Sequence, residues 1–247
     1  MSYTVVVLAA LLASALTFFS GFGLGTLLLP AFALFFPVQV AVAATAAVHL
    51  ANNLFKLLLV GRKADRGVLF RFVVPAIPAA VLGAWLLNRL SETGTAKLVI
   101  GLVMVLFAVL ELTPRFQKLS FPARAIPWGG LVSGFFGGLS GHQGAFRSAF
   151  LVRAGLGKEA FIATGVACAV AVDIARLAVY GLSFVGGRDA ASELGGRAGL
   201  VAAGMAAAFI GSWAGARVLR NLSMEAIHRL VAVLLLIIGL SLAAGLI

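Results

Sequence analysis

Apolar positions dominate the chain from end to end, and what separates them is short. Apolar runs lie at about 3–20, 25–36, 38–60, 68–88, 96–112, 127–139, 144–154, 159–182, 197–216 and 229–247. Most are close to the roughly 20 residues that a helix needs to cross a hydrocarbon core of about 30 Å, so the pattern predicts membrane-spanning α-helices. Two runs, 25–36 and 144–154, are too short for that and read as half-helices. Each follows a glycine-rich break, SGFGLG at Ser20 to Gly25 and GGLSGHQG at Gly137 to Gly144. Glycine in mid-membrane lets a helix unwind or lets two backbones approach closely. Each break is then either an interruption in one long span or the tip of a hairpin that enters and leaves on the same side.

The ten runs fall into two sets of five, and the letters repeat with them. GAWLLNRLSETGTAKLV, Gly83 to Val99, shares seven of seventeen positions with GARVLRNLSMEAIHRLV, Gly215 to Val231, and NLFKLLLVG ending at Gly61 resembles DIARLAVYG ending at Gly181. The chain reads as an internal duplication, repeat 1 over about 1–113 and repeat 2 over about 124–247, inside one transmembrane domain spanning 1–247. Such duplications are common in secondary transporters.

Composition sharpens this picture: 62% of the residues are hydrophobic, 11% are charged, and the mean hydropathy is +1.11. No stretch remains for a soluble domain. The first twenty residues have the apolar core of a signal peptide without its basic start, and are read as retained. The single cysteine, Cys168, rules out an internal disulfide and any multi-cysteine metal site.

The net charge of +11 does not point to nucleic acid, because the basic residues sit in short loops between apolar runs rather than on one soluble face. They report topology instead. If both breaks are hairpins, one side holds twelve cations, Arg62, Lys63, Arg66, Arg71, Arg115, Lys118, Arg124, Arg153, Lys158, Arg217, Arg220 and Arg229, and the other holds four, Arg89, Lys97, Arg188 and Arg197. Single crossings would make the division 9 to 7. The positive-inside rule therefore favours hairpins. Each repeat then has an odd number of crossings, a glycine-broken hairpin plus three transmembrane helices, and the repeats are inverted with both termini outside. The expected fold is all-α and polytopic, in a bacterial cytoplasmic (inner) membrane.

Three of the nineteen basic residues, Lys56, Arg147 and Arg176, belong to neither set of loop cations. A buried cation in a membrane is costly and needs a reason. Lys56, near the end of its span, has one in snorkelling to headgroups. Arg176 follows Asp173 by three residues on one helix face, which suits an ion pair or a coupling carboxylate. Arg147 comes three residues after Gly144, where a half-helix begins with unpaired N–H groups and the positive end of its dipole. A matching start at Gly25 and Thr26 approaches from the other repeat, so two helix ends converge on a compact anion. His142 and Gln143 add polar groups at the tip, and His49 and Asn52, one turn apart in mid-span, extend the lining. The candidate substrate-binding residues are thus Gly25, Thr26, His49, Asn52, Lys56, His142, Gln143, Gly144, Arg147 and Arg176. The histidines leave proton coupling open.

Enzymatic signatures are missing: there is no HExxH or GxSxG, and the three histidines lack metal-ligand spacing. No enzyme activity, cofactor or metal is expected. The readings that remain are an anion transporter, an anion channel, or a non-transporting membrane scaffold whose polar groups only join helices.

The stretches SGFGLGTLLLPAFALFFPVQVAVAATAAVHLANNLFK and GLVSGFFGGLSGHQGAFRSAFLVRAGLGKEAFIATG resemble, in order and spacing, those of the TauE/SafE sulfite exporters, also called the toluene sulfonate uptake permease family. The resemblance covers nearly the whole chain. It implies export or uptake of sulfite, sulfonates or related small oxyanions. The first repeat has no counterpart of His142, Gln143 and Arg147, so an anion site is expected to be asymmetric.

Overall fold

The computed structural model describes residues 2–20, 24–186, 195–218 and 224–246, and these residues form helices without strands. Ten helices of eight or more residues follow one another: α1 (Ser2–Ser20), α2 (Leu24–Ala33), α3 (Val38–Val60), α4 (Arg66–Glu92), α5 (Ala96–Leu112), α6 (Ile126–Ser140), α7 (Gly144–Leu151), α8 (Lys158–Gly186), α9 (Ala198–Val218) and α10 (Met224–Ala243). Four of them, α3, α4, α8 and α9, are long and apolar enough to cross a membrane. The chain is a multi-pass membrane protein.

Each predicted run became a helix, and the two half-helices are shorter still than expected, 10 residues for α2 and 8 for α7. Local chemistry stops them. After α2, the N–H groups of Phe35 and Phe36 both turn back to the Phe32 carbonyl, and Pro37 bars further helix. After α7, Ala154 closes a turn on Leu151, and Gly155 takes a positive φ of 75°.

Between α6 and α7 the chain reverses. Gly141 adopts φ 84°, and its N–H closes on the carbonyls of Phe136 and Gly137, a left-handed helix stop that suits glycine. α7 then runs back along α6. Ser133 Oγ donates to the Gln143 carbonyl at 2.8 Å, and a Cβ on Gly129, near the start of α6, would fall 2.4 Å from Phe150, near the end of α7. The second break is therefore the tip of a hairpin. The centre of the first, Gly21 to Gly23, lies outside the described residues, although α1 and α2 also pack on each other.

Glycines let these helices approach backbone to backbone. On α6, Gly130, Gly134 and Gly138 follow one another at four-residue spacing, and a Cβ on each would stand 2.1, 2.3 and 2.0 Å from the carbonyl oxygens of Phe72, Ala76 and Ala80 on α4. Gly211 and Gly215 of α9 meet Leu11 and Ala15 of α1 in the same way. Lipid tails are as apolar as side chains, so close van der Waals packing of this kind is what joins helices in a bilayer. Across the chain, α4 packs on α6 and α8, α9 packs on α1 and α3, α3 packs on α8, and α5 packs on α10.

Candidate functional site

Asp173, wholly buried on α8, is the hub of the polar interior. One turn on, Arg176 donates to its Oδ1 from Nε at 3.0 Å and from Nη2 at 2.7 Å. Across the interface His49 of α3 meets Oδ2 at 2.6 Å through Nδ1, so that nitrogen carries the ring proton. From the hairpin tip, Gln143 Nε2 donates to Oδ1 at 3.0 Å, and Asn53 Nδ2 reaches Oδ2 at 3.5 Å. The carboxylate thus ties together α3, α8 and the α6–α7 tip.

Gln143 carries the network onward, because its Oε1 accepts from Arg147 Nη1 at 3.2 Å. Arg147 is buried on the face of α7 toward α8, with Nε 3.7 Å from where a Gly165 Cβ would stand. Lys56 is buried as well and does not reach out to headgroups, which corrects the snorkelling expectation. With the Asn52 amide turned to suit its neighbours, its oxygen accepts from Lys56 Nζ at 3.3 Å and its nitrogen donates to the Ala208 carbonyl at 3.2 Å. The reason is position: Lys56 shares the inward stripe of α3 with Thr45, His49, Asn52 and Asn53, all buried.

Three buried cations belong to this interior: Arg176 on Asp173, Arg147 on Gln143, and Lys56 on Asn52. Cations buried in a low-dielectric interior are costly unless they are paired and hydrogen-bonded, so three of them close to one another mark a site of special chemistry. The two breaks also meet here. A Cβ on Gly25 would stand 3.3 Å from the Gly141 carbonyl and 3.8 Å from His49 Cδ2. Gly144 opens α7 as predicted, and Thr26 lies in the first turn of α2, its side chain outside the described residues.

Asn52 and Asn53 divide the work differently from the expected lining. Asn52 faces Ser212 of α9 and Lys56, while Asn53 joins the carboxylate. Sequence reasoning missed Asn53, although the signal was present: aligning NLFKLLLVG with DIARLAVYG places Asn53 on Asp173 and Lys56 on Arg176. The structure brings these aligned residues to elements that pack on each other, α3 and α8. Also missed were Tyr180, whose hydroxyl donates to the Gly138 carbonyl, and the buried Thr45 and Ser133.

Two cavities flank the cluster at opposite ends of α5. One, of about 460 Å³, is lined by Glu111, Lys118, Ser120, Ser148 and Arg153 with Phe116 and Phe161. The other, of about 360 Å³, is lined by residues 33–38 with Lys97, Arg197 and Leu242. At the first, α7 is the partition: Ala145, Ser148 and Ala149 face the cavity, while Arg147 faces the cluster.

A family model described as Sulfite exporter TauE/SafE matches residues 6–242. No curated protein and no solved structure matches the chain.

Proposed function

The chain belongs to the sulfite exporter TauE/SafE family, and on that footing we propose that it exports a small sulfur oxyanion, sulfite or an organosulfonate, across a bacterial cytoplasmic membrane by alternating access. The observation that carries this reading is the buried cationic network, Arg176 on Asp173 and Arg147 on Gln143, beside the contact of the two glycine breaks, with Lys56 buried on the same stripe of α3 as His49. Arg147 and Lys56 supply charge, Arg147 adds a planar fork suited to two oxyanion oxygens, and Asp173 holds Arg176, His49 and Gln143 in place. Family membership favours a carrier over a scaffold. Burial of the cluster between two separate cavities favours a carrier over an open channel.

In this reading the two five-helix repeats are inverted. Alternating access then amounts to each hairpin giving way in turn, α7 toward the Lys118 cavity and α2 toward the Lys97 cavity. The test is saturable uptake of labelled sulfite into proteoliposomes. Arg147→Gln is expected to abolish it in a protein that still purifies as a single species, and Arg147→Lys to retain part of it, because charge survives and the fork does not. Normal flux through Arg147→Gln would place the site elsewhere.

A further inference from the structure

We infer that the site selects an oxyanion that still carries one proton, a hydrogensulfite-like X–OH monoanion, and that His142 Nε2 accepts that proton's hydrogen bond. The inference rests on the anion-site reading above and narrows its substrate class. It begins with a hydroxyl. Ser140 Oγ lies 3.1 Å from the Phe136 carbonyl, which can only accept, so the single hydroxyl proton is committed there. Toward His142 Nδ1, 3.0 Å away, Ser140 Oγ is then the acceptor, and Nδ1 carries the ring proton. In the neutral imidazole, Nε2 is left as a bare lone pair.

That lone pair is buried and has no hydrogen-bond partner. His142 is 2% exposed, and Phe107 lies against its ring with centroids 4.8 Å apart. A second orphan stands across the same contact: Thr45 Oγ1, on a residue 1% exposed, also has no partner. Thr45 Cγ2 is 3.9 Å from where a Gly25 Cβ would stand, and Gly25 abuts Gly141, the residue before His142. Buried polar atoms are almost always satisfied, so two orphans flanking the meeting of the breaks mark where ligand atoms belong.

The two orphans ask for different things. Thr45 offers a hydroxyl that can donate to an anionic oxygen, as the cations do. Nε2 asks for a donor. A sulfonate has only acceptor oxygens and would set lone pair against lone pair there, whereas a monoanion with one O–H supplies the missing bond. Sites built to bond a ligand hydroxyl reject analogues that lack it far more strongly than apolar pockets reject a methylene. Arg176 lies beside the tip, its Nη1 3.0 Å from where a Gly141 Cβ would stand, and the other buried ionisable groups on the elements around His142 are Asp173, His49, Arg147, Lys56 and Tyr180, with Glu111 one turn beyond Phe107 on α5.

The experiment uses the full chain in detergent and two anions, sulfite and methanesulfonate, titrated across mildly acidic to mildly alkaline pH. Sulfite loses its proton over this range, while methanesulfonate keeps one charge and never has an O–H. Sulfite affinity is expected to fall with its monoprotonated fraction. Methanesulfonate is expected to bind at least about 10-fold more weakly at the acidic end and to ignore pH. In His142→Gln, whose amide can turn its NH₂ toward an aprotic oxygen, the gap should close to within about 3-fold. The native pH series stands without any variant, and His142→Asn repeats the comparison should the glutamine variant fold poorly. Equal affinities in the native protein, or a discrimination that survives both substitutions, would overturn the inference. A shared pH dependence of both anions would assign the proton to the protein and overturn it too. If the native protein binds neither anion saturably at any pH, the anion-site reading falls with it; binding without discrimination removes only the ligand-borne proton.

Discussion

Replacing Asp173 with Asn tests whether the interior is organised around one carboxylate. The substitution preserves shape and removes the carboxylate that Arg176, His49 and Gln143 share, so the buried network gains one net positive charge. Arg176 loses a charged acceptor for bonds at 2.7 and 3.0 Å, and His49 loses one at 2.6 Å. The new amide also presents hydrogens where donors already converge. Breaking a buried pair by removing one partner costs about 3–5 kcal/mol. At about 2–4 °C per kcal/mol for a chain of this size, the melting temperature should fall by roughly 6–20 °C. Differential scanning fluorimetry in detergent measures this directly. Two accompanying results make the reasoning specific. Sulfite should restore more of the melting temperature in Asp173→Asn than in the native protein, because an anion offsets the positive charge that the substitution adds. Adding Asn53→Asp should recover part of the loss, since Asn53 sits beside His49 and 3.5 Å from Asp173 Oδ2, and so returns a carboxylate to the same interface. An Asp173→Asn protein that melts within about 2 °C of native would refute the hub, because exposed surface pairs, not buried ones, contribute that little.

Packing and topology give two further expectations. Gly138→Ala should lower the melting temperature, at a cost of about 1–3 kcal/mol or more, because its Cβ would lie 2.0 Å from the Ala80 carbonyl, a backbone atom that cannot swing aside. Gly94→Ala, in open space but at φ 74°, should cost less and leave the α4–α6 contact intact, which detergent-resistant protease protection of the two helices would report. In a Cys168→Ala background, cysteine at Arg197 should react with an impermeant maleimide added to whole cells, and cysteine at Lys118 should react only after permeabilisation; labelling of both from one side would remove the inverted arrangement.

Much of this protein is written in its one-dimensional pattern. The bilayer satisfies no backbone hydrogen bonds, so long apolar runs have one structural outcome, and eight of the ten helices were legible as such runs. The half-helices were legible for the same reason: they are too short, and glycines precede them. Arg147, Arg176 and Lys56 stood out because a cation among hydrocarbon is conspicuous wherever it points. What the letters do not carry is direction around each helix and contact between distant ones. Asn52 and Asn53 are adjacent, yet 100° of helical turn sends one to Ser212 and the other to Asp173. Lys56 looked able to snorkel until the packing of α3 against α8 and α9 enclosed it. The reversal at Gly141 needed a left-handed residue, which glycine permits and does not compel. Asp173 becomes a hub only when His49, 124 positions away, and Gln143, 30 away, are brought to its two oxygens. Hydropathy is a property of each segment and survives in the sequence; the convergence of charges is a property of the assembled interface, fixed by which glycine faces let which backbones touch.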